Sequence, residues 1–352
     1  MSGARATVGV LLAGAALLLS AVVWTGTARS ALLVGGAILA FLAFSGRRHG
    51  IVRKNRSVIA AGLGGVVVIL GGLSMFVDGD PGSFDRIVTG VLVGLGGFLI
   101  ALAAAEYREI PPNRLMTGSQ YALVGAALGF GGLVVAGVLG SVPGLIVEHT
   151  EADPGAIVEF ALSQTAIAIG FVLAVGGFIV LSGRTFRYID VRRPTPSDLG
   201  YMLGGTIVVL IASAGIQFVL VAFGVEFATH QVEDRAAQHG PGILVVAIVF
   251  AFVTNGLGEE LLFRNGVQKF LTEWFSPAAA IVLSSIVFAL VHFPAYGSPA
   301  PLATLGSVFV VFSLSLILGI TYYRTQNILV PIVIHGCYNA IVWIVVYVNL
   351  FV

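Results

Sequence analysis

The chain has 352 residues, of which 57% are apolar and only 10% charged, and its formal net charge is +1. A composition this apolar excludes an ordinary soluble domain and a disordered one, and a near-neutral charge gives no footing for nucleic acid. Cys337 is the only cysteine, so neither an internal disulfide nor a cysteine-based metal cluster is available.

Eleven apolar runs follow one another near 6–24, 31–45, 57–77, 87–105, 120–147, 156–182, 199–224, 242–263, 278–293, 302–323 and 328–351. A spanning helix needs roughly 20 apolar residues, so the runs at 31–45 and 278–293 are short for a span. The expected fold is all-α, a polytopic transmembrane helix bundle of about eleven spans. The first run stays apolar beyond a signal peptide's core and meets no small-x-small site, which reads as a retained helix.

The connections carry nearly all the charge. Arg47, Arg48, Arg53, Lys54 and Arg56 crowd the second, whereas DGDPGSFDR (78–86) and EHTEADPG (148–155) are mainly acidic. Placing basic connections in the cytoplasm puts Arg108 and Arg114, then Arg184, Arg187, Arg192 and Arg193, on one side with strict alternation. The expectation is a multi-pass protein of the plasma membrane with its N-terminus inside and Val352 outside. Arg264, Lys269 and Arg324 fall on the cytoplasmic side. The polar connections 183–198 and 225–241 are too short to bury a core of their own, and no internal repeat stands out. Gly90-xxx-Gly94 and Gly125-xxx-Gly129 have the spacing of close helix packing.

Ionisable groups inside spans cost about 2.5–3.5 kcal/mol each on insertion scales and mark function by default. They gather in the last hundred residues: Glu259, Glu260 and Arg264 in GLGEELLFRNG (256–266), His292 in FALVHFP, and His335 with Asn339 in HGCYN. The chain therefore divides by motif content at RRPTPSD (192–198), into an N-terminal transmembrane region 1–198 of unassigned role and a C-terminal region 199–352. Glu260 and Arg264 are four apart and suit an ion pair on one helix face, with Glu259 turned about 100° away. The pair alone is structural, and it needs only one carboxylate. His335 and Asn339 share a face by the same spacing, and so do Phe288 and His292. A lone histidine in a span is often a hydrogen-bonded packing residue, and Phe288 by itself reads as packing. Five unrelated packing residues do not account for the second carboxylate.

Glu-Glu-x-x-x-Arg, Phe-x-x-x-His and His-x-x-x-Asn, in this order on successive helices, resemble the three motifs of the CPBP family, which includes CAAX prenyl endopeptidases and bacteriocin-processing or Abi proteins. The likeness covers about 245–345, including Arg324, Thr325 and Pro331 in the approach to the third motif. It departs at Asn265, where a glycine commonly follows the arginine. The resemblance implies an intramembrane endopeptidase acting on a peptide or lipidated membrane protein. It assigns Glu259 as base, His292 as the residue that holds the water, His335 and Asn339 as partners of the tetrahedral intermediate, and Glu260 with Arg264 as the ion pair that orients the helix. No cofactor is required on that reading. Zinc held by Glu259, His292 and His335 is the competing arrangement, although no His-Glu-x-x-His helix is present. An ion-coupled transporter would distribute its polar groups over repeated halves, and a catalytically idle scaffold would tolerate loss of Glu259 or His292.

Counting about 1.5 Å per residue from Pro277 and Asn327 sets His292 far deeper than His335. The two meet Glu259 only if helices start at different heights, or if 265–277 continues as a helix past the membrane. NGVQKFLTEWF has the mixed character of such an extension, and the cavity is then expected to open toward the cytoplasm.

Overall fold

The computed structural model describes residues 2–78, 84–150, 154–296 and 301–352. The acidic stretches at 79–83 and 151–153 lie outside the described residues. All regular structure among the described residues is helical. In chain order the helices are α1 Ser2–Val22, α2 Ala28–Arg48, α3 Lys54–Asp78, α4 Phe84–Tyr107, α5 Pro112–His149, α6 Ala156–Leu181, α7 Pro196–Ala222, α8 Gln231–His239, α9 Gly242–Thr272, α10 Pro277–Val291, α11 Pro301–Thr325 and α12 Leu329–Phe351. Ten of these are long and apolar enough to cross a membrane, and α10 is a shorter apolar helix. All eleven apolar runs thus become helices. The run at 31–45 is part of a full-length one, while that at 278–293 remains short. The protein is an integral membrane protein with a polytopic helical bundle.

By contacts the chain forms two compact units, Met1–Ser119 and Gln120–Val352, divided within α5. In the first, α1 to α4 pack through small residues. A Cβ on Gly36 would lie 2.9 Å from the Gly64 carbonyl oxygen, and one on Gly65 would lie 2.7 Å from that of Gly96. The close approaches are therefore between glycines of neighbouring helices. Gly94 has nothing within 4 Å. Buried Glu106 joins the helix ends, accepting from Arg5 Nε at 2.7 Å and Arg47 Nε at 2.9 Å.

In the second unit, α6, α9 and α10 share a core of Phe171, Val175, Leu262, Phe263, Val267 and Phe288. Gly125 and Gly129 of α5 seat the side chains of Leu271 and Val287 there, the role their spacing suggested. A strap at 182–195, with one 3-10 turn at Phe186–Tyr188, crosses the ends of α9, α11 and α12. Asp190 is its anchor. The Asp190 carboxylate accepts from Lys269 Nζ and the Tyr322 hydroxyl, each at 2.6 Å, and its backbone carbonyl accepts from Ile328 N–H at 2.8 Å. At the end of the strap Thr195 and Asp198 cap α7 reciprocally, and Arg192 pairs with Asp198.

Candidate active site

All three motifs meet in the second unit. α9 runs unbroken to Thr272, and the turn before α12 is buried beneath the strap, with Asn327 and Ile328 essentially inaccessible. Of the two alternatives offered by the depth arithmetic, the continuation of the first motif's helix is seen in part, since it stops at Thr272 instead of reaching 277. The α9 motif is not α-helical. It winds as π-helix over Ala251–Glu259 and Leu261–Gln268, so the α-helical angles used to read it do not apply, and its turns are wider. Gly256 lets this segment approach α12, since a Cβ there would lie 2.9 Å from the Ile332 carbonyl oxygen.

Glu260 is fully buried and serves two partners. Its Oε2 accepts from Arg264 Nε at 2.9 Å and its Oε1 accepts from His335 Nδ1 at 2.8 Å. The expected pair with Arg264 is there, and the link to His335 is new. Because a carboxylate only accepts, His335 Nδ1 carries a proton and its Nε2 is the atom left for substrate. That Nε2 accepts when the ring is neutral and donates only when the ring is charged. Arg264, also fully buried, donates to Ser315 Oγ at 3.0 Å and lies 5.0 Å over the Phe288 ring. Phe288 packs in turn against His292 at 4.4 Å and His335 at 5.9 Å between ring centres. The second motif's aromatic is a packing residue that touches Phe263 of the core on one hand and Arg264, His292 and His335 of the site on the other.

Glu259 is 7% exposed and differently engaged. Its Oε1 accepts from Asn255 Nδ2 at 2.8 Å, while its Oε2 is buried, has no hydrogen-bond partner and stands 3.5 Å from His292 Nε2. His292 Nδ1 lies 2.7 Å from the Phe288 carbonyl oxygen. A carbonyl also only accepts, so Nδ1 holds the proton and a neutral ring turns its Nε2 lone pair on the carboxylate. Two acceptors facing each other at that distance suit a shared water better than direct contact.

Two cavities meet at this pair. One of about 560 Å³ contains His335, Asn339 and Tyr338, and a second of about 190 Å³ contains Glu259. His230, Asn255, His292 and Trp343 line both. Sequence reading missed His230 because it sits in a polar connection, where a histidine costs nothing. Its Nδ1 accepts from Val232 N–H at 3.1 Å, capping α8, and its ring lies edge-on to Tyr296 and Trp343 at 5.0 and 5.1 Å. Burial pushes its pKa down to about 4, the proximity of His292 adds to this, and Glu259 opposes it. The ring is neutral near pH 7, with Nε2–H as its free donor. Asn255 is the other residue missed, since an uncharged amide one turn before the motif gives no hydropathy signal.

Among the described residues no three His, Cys, Asp or Glu side chains form a group that holds a metal ion. His335 faces Glu260 while Glu259 faces His292, so the three zinc candidates point into two different pairs. Asn265, the departure from the usual motif, is used by the strap. Its Oδ1 accepts from Asp190 N–H at 2.8 Å and its Nδ2 donates to the Tyr188 carbonyl at 3.4 Å.

No curated protein and no solved structure matches the chain. Residues 241–341, under a third of the chain and including Glu259, His292, His335 and Asn339, match the model of the type II CAAX prenyl endopeptidase Rce1-like family, a family of proteases.

Proposed function

We propose that the protein is an intramembrane endopeptidase in which Glu259 and His292 activate a water for attack on a peptide carbonyl. The observation that supports this reading is the orphaned Glu259 Oε2, buried and 3.5 Å from His292 Nε2. A water there donates one proton to each, and Glu259 is the base that takes the proton as the oxygen attacks. His292 Nδ1 is tied to the backbone, which fixes the ring's orientation. His335 and Asn339 line the adjoining cavity and meet the developing oxyanion, Asn339 through its amide and His335 through Nε2 in its charged form. The buried Glu260 carboxylate accepts from Nδ1 and orients the ring, and Arg264 holds Glu260 in place. The larger cavity is walled mainly by apolar side chains such as Val209, Leu314 and Val346. It suits an extended apolar peptide segment within or beside the bilayer.

The test is Glu259→Gln in purified protein with a membrane-peptide substrate library, alongside elemental analysis. Expected are loss of cleavage, unchanged folding, no stoichiometric metal and insensitivity to chelators. Retained turnover in Glu259→Gln removes the base assignment. Zinc lost together with activity in both His292→Ala and His335→Ala refutes the metal-free mechanism.

A further inference from the structure

The cavity extends from the middle of the second unit to one of its ends, and the unit's ends differ in charge. Its walls begin at Leu318 of α11 and His335 of α12 and run to Gln217 of α7, Val346 of α12, Ser307 of α11 and His230 in the segment entering α8. These parts are tied together at that end. Ala228 N–H donates to Ser307 Oγ at 3.1 Å and Gln231 Nε2 donates to the Pro294 carbonyl at 2.8 Å.

The opposite end is the one that the strap closes. There Arg184 pairs with Glu273 and Lys269 with Asp190, each at 2.6 Å, and Arg192 donates to the Thr325 carbonyl at 2.8 Å. The strap and the helix ends beside it carry six Lys or Arg: Arg184, Arg187, Arg192 and Arg193 in the strap, Lys269 in the last turn of α9 and Arg324 in the last turn of α11. At the cavity end the connections 148–155, 223–241 and 292–301 carry one, Arg235, beside Glu148, Glu226, Glu233 and Asp234. Orientation follows the Lys and Arg of short connections near the span ends. Six against one sets the strap in the cytoplasm and the cavity on the other side.

We propose that the cavity opens on the extracytoplasmic side. Its substrate is a peptide segment of an exported or membrane-anchored protein presented at the outer leaflet, and not a cytoplasmic C-terminal tail. This reverses the cytoplasmic opening expected from the sequence, which relied on the α9 extension carrying the site with it. Lys269 does lie on the basic side, but Glu259 is ten residues back along α9, toward the acidic end. The word substrate rests on the protease reading; the orientation does not.

In a Cys337→Ser background, Asp234→Cys and Arg187→Cys place single exposed thiols at the cavity end and the strap end. A membrane-impermeant maleimide applied to intact cells is expected to modify Asp234→Cys, and to modify Arg187→Cys only after permeabilisation. A phosphatase fused after Val352, where α12 ends on the cavity side, is expected to be active. Asp234→Cys that reacts only after permeabilisation, or a silent phosphatase on a full-length, membrane-inserted fusion, overturns the proposal. Labelling needs no turnover, so the same result is expected with Glu259→Gln added. Failure of the orientation is thereby separated from failure of the protease reading, which shows only as equal cleavage by wild type and Glu259→Gln.

Discussion

The two neighbouring glutamates are expected to respond in opposite ways to the same isosteric change. Glu260 has two donors converging on two different oxygens, Arg264 Nε on Oε2 and His335 Nδ1 on Oε1. In Glu260→Gln one of those oxygens becomes an NH2 group. Turned one way, the NH2 meets the Arg264 Nε–H; turned the other, it forces His335 Nδ1 to give up its proton; either way Arg264 is left without its countercharge at a fully buried position. Breaking a buried pair by removing one partner costs about 3–5 kcal/mol. Glu259 has one donor, Asn255 Nδ2 on Oε1, and faces the His292 Nε2 lone pair with its other oxygen. In Glu259→Gln the amide oxygen keeps the Asn255 bond while its NH2 donates to His292, so stability is retained or slightly raised. The assay is reversible unfolding of the detergent-solubilised protein, read by Trp fluorescence, with cleavage measured on the same samples. A third variant separates charge from geometry: Glu260→Leu with Arg264→Met removes both charges, recovers much of the stability as apolar packing, and stays inactive because His335 Nδ1 has lost its acceptor. Equal unfolding midpoints for wild type and Glu260→Gln refute the reasoning, as does a loss in Glu259→Gln as large as that in Glu260→Gln.

Three further outcomes follow from two residues outside the motifs. His230→Asn keeps a side chain able to cap α8 but removes the Nε2–H from the cavity; turnover is expected to fall about tenfold, the worth of one hydrogen bond of roughly 1–1.5 kcal/mol. The pH dependence has a definite sign. The folded pKa of His230 is depressed to about 4 from an unfolded value near 6.5. The unfolded chain therefore binds more protons between those values, and stability falls as pH drops from about 6.5 to about 4, a slope absent from His230→Asn in pH-dependent unfolding. Asn265→Gly restores the commoner residue yet breaks the bonds to Asp190 and Tyr188. A stability loss of about 1–3 kcal/mol is expected in thermal unfolding, with near-normal turnover at low temperature. An Asn265→Gly protein as stable as wild type refutes the anchoring role of the strap.

How far the sequence reached depends on which groups a membrane makes conspicuous. Glu259, Glu260, Arg264, His292 and His335 are costly in apolar runs, so their presence there carried a signal, and Asn339 came with His335 by its spacing. The structure brings all six to one region. The long apolar runs likewise announced the helices, because a bilayer leaves few other ways to satisfy the backbone. Three things gave no such signal. The π winding of α9 replaces α-helical hydrogen bonds with wider ones without altering hydropathy. His230 and Asn255 are free of the insertion penalty, the first in a connection and the second uncharged. The His335 link to Glu260 is a contact across 75 positions in sequence, and helical spacing describes only residues on one helix.

The missed link changes the chemistry assigned to the site more than any missed residue does. Read by spacing, Glu260 belongs to Arg264, and His335 is an independent donor beside Asn339. With its Nδ1 proton held by Glu260, His335 donates through Nε2 only after it gains a second proton. Glu260 is then more than the anchor of a helix, because it fixes which ring nitrogen of His335 faces the cavity. The carboxylates differ in their partners: Glu259 has one oxygen without a hydrogen bond, the one that the proposed mechanism gives to the water, whereas Glu260 has both oxygens committed. On the proposed mechanism two adjacent glutamates, so costly in a chain this apolar, are both needed, and neither can stand in for the other.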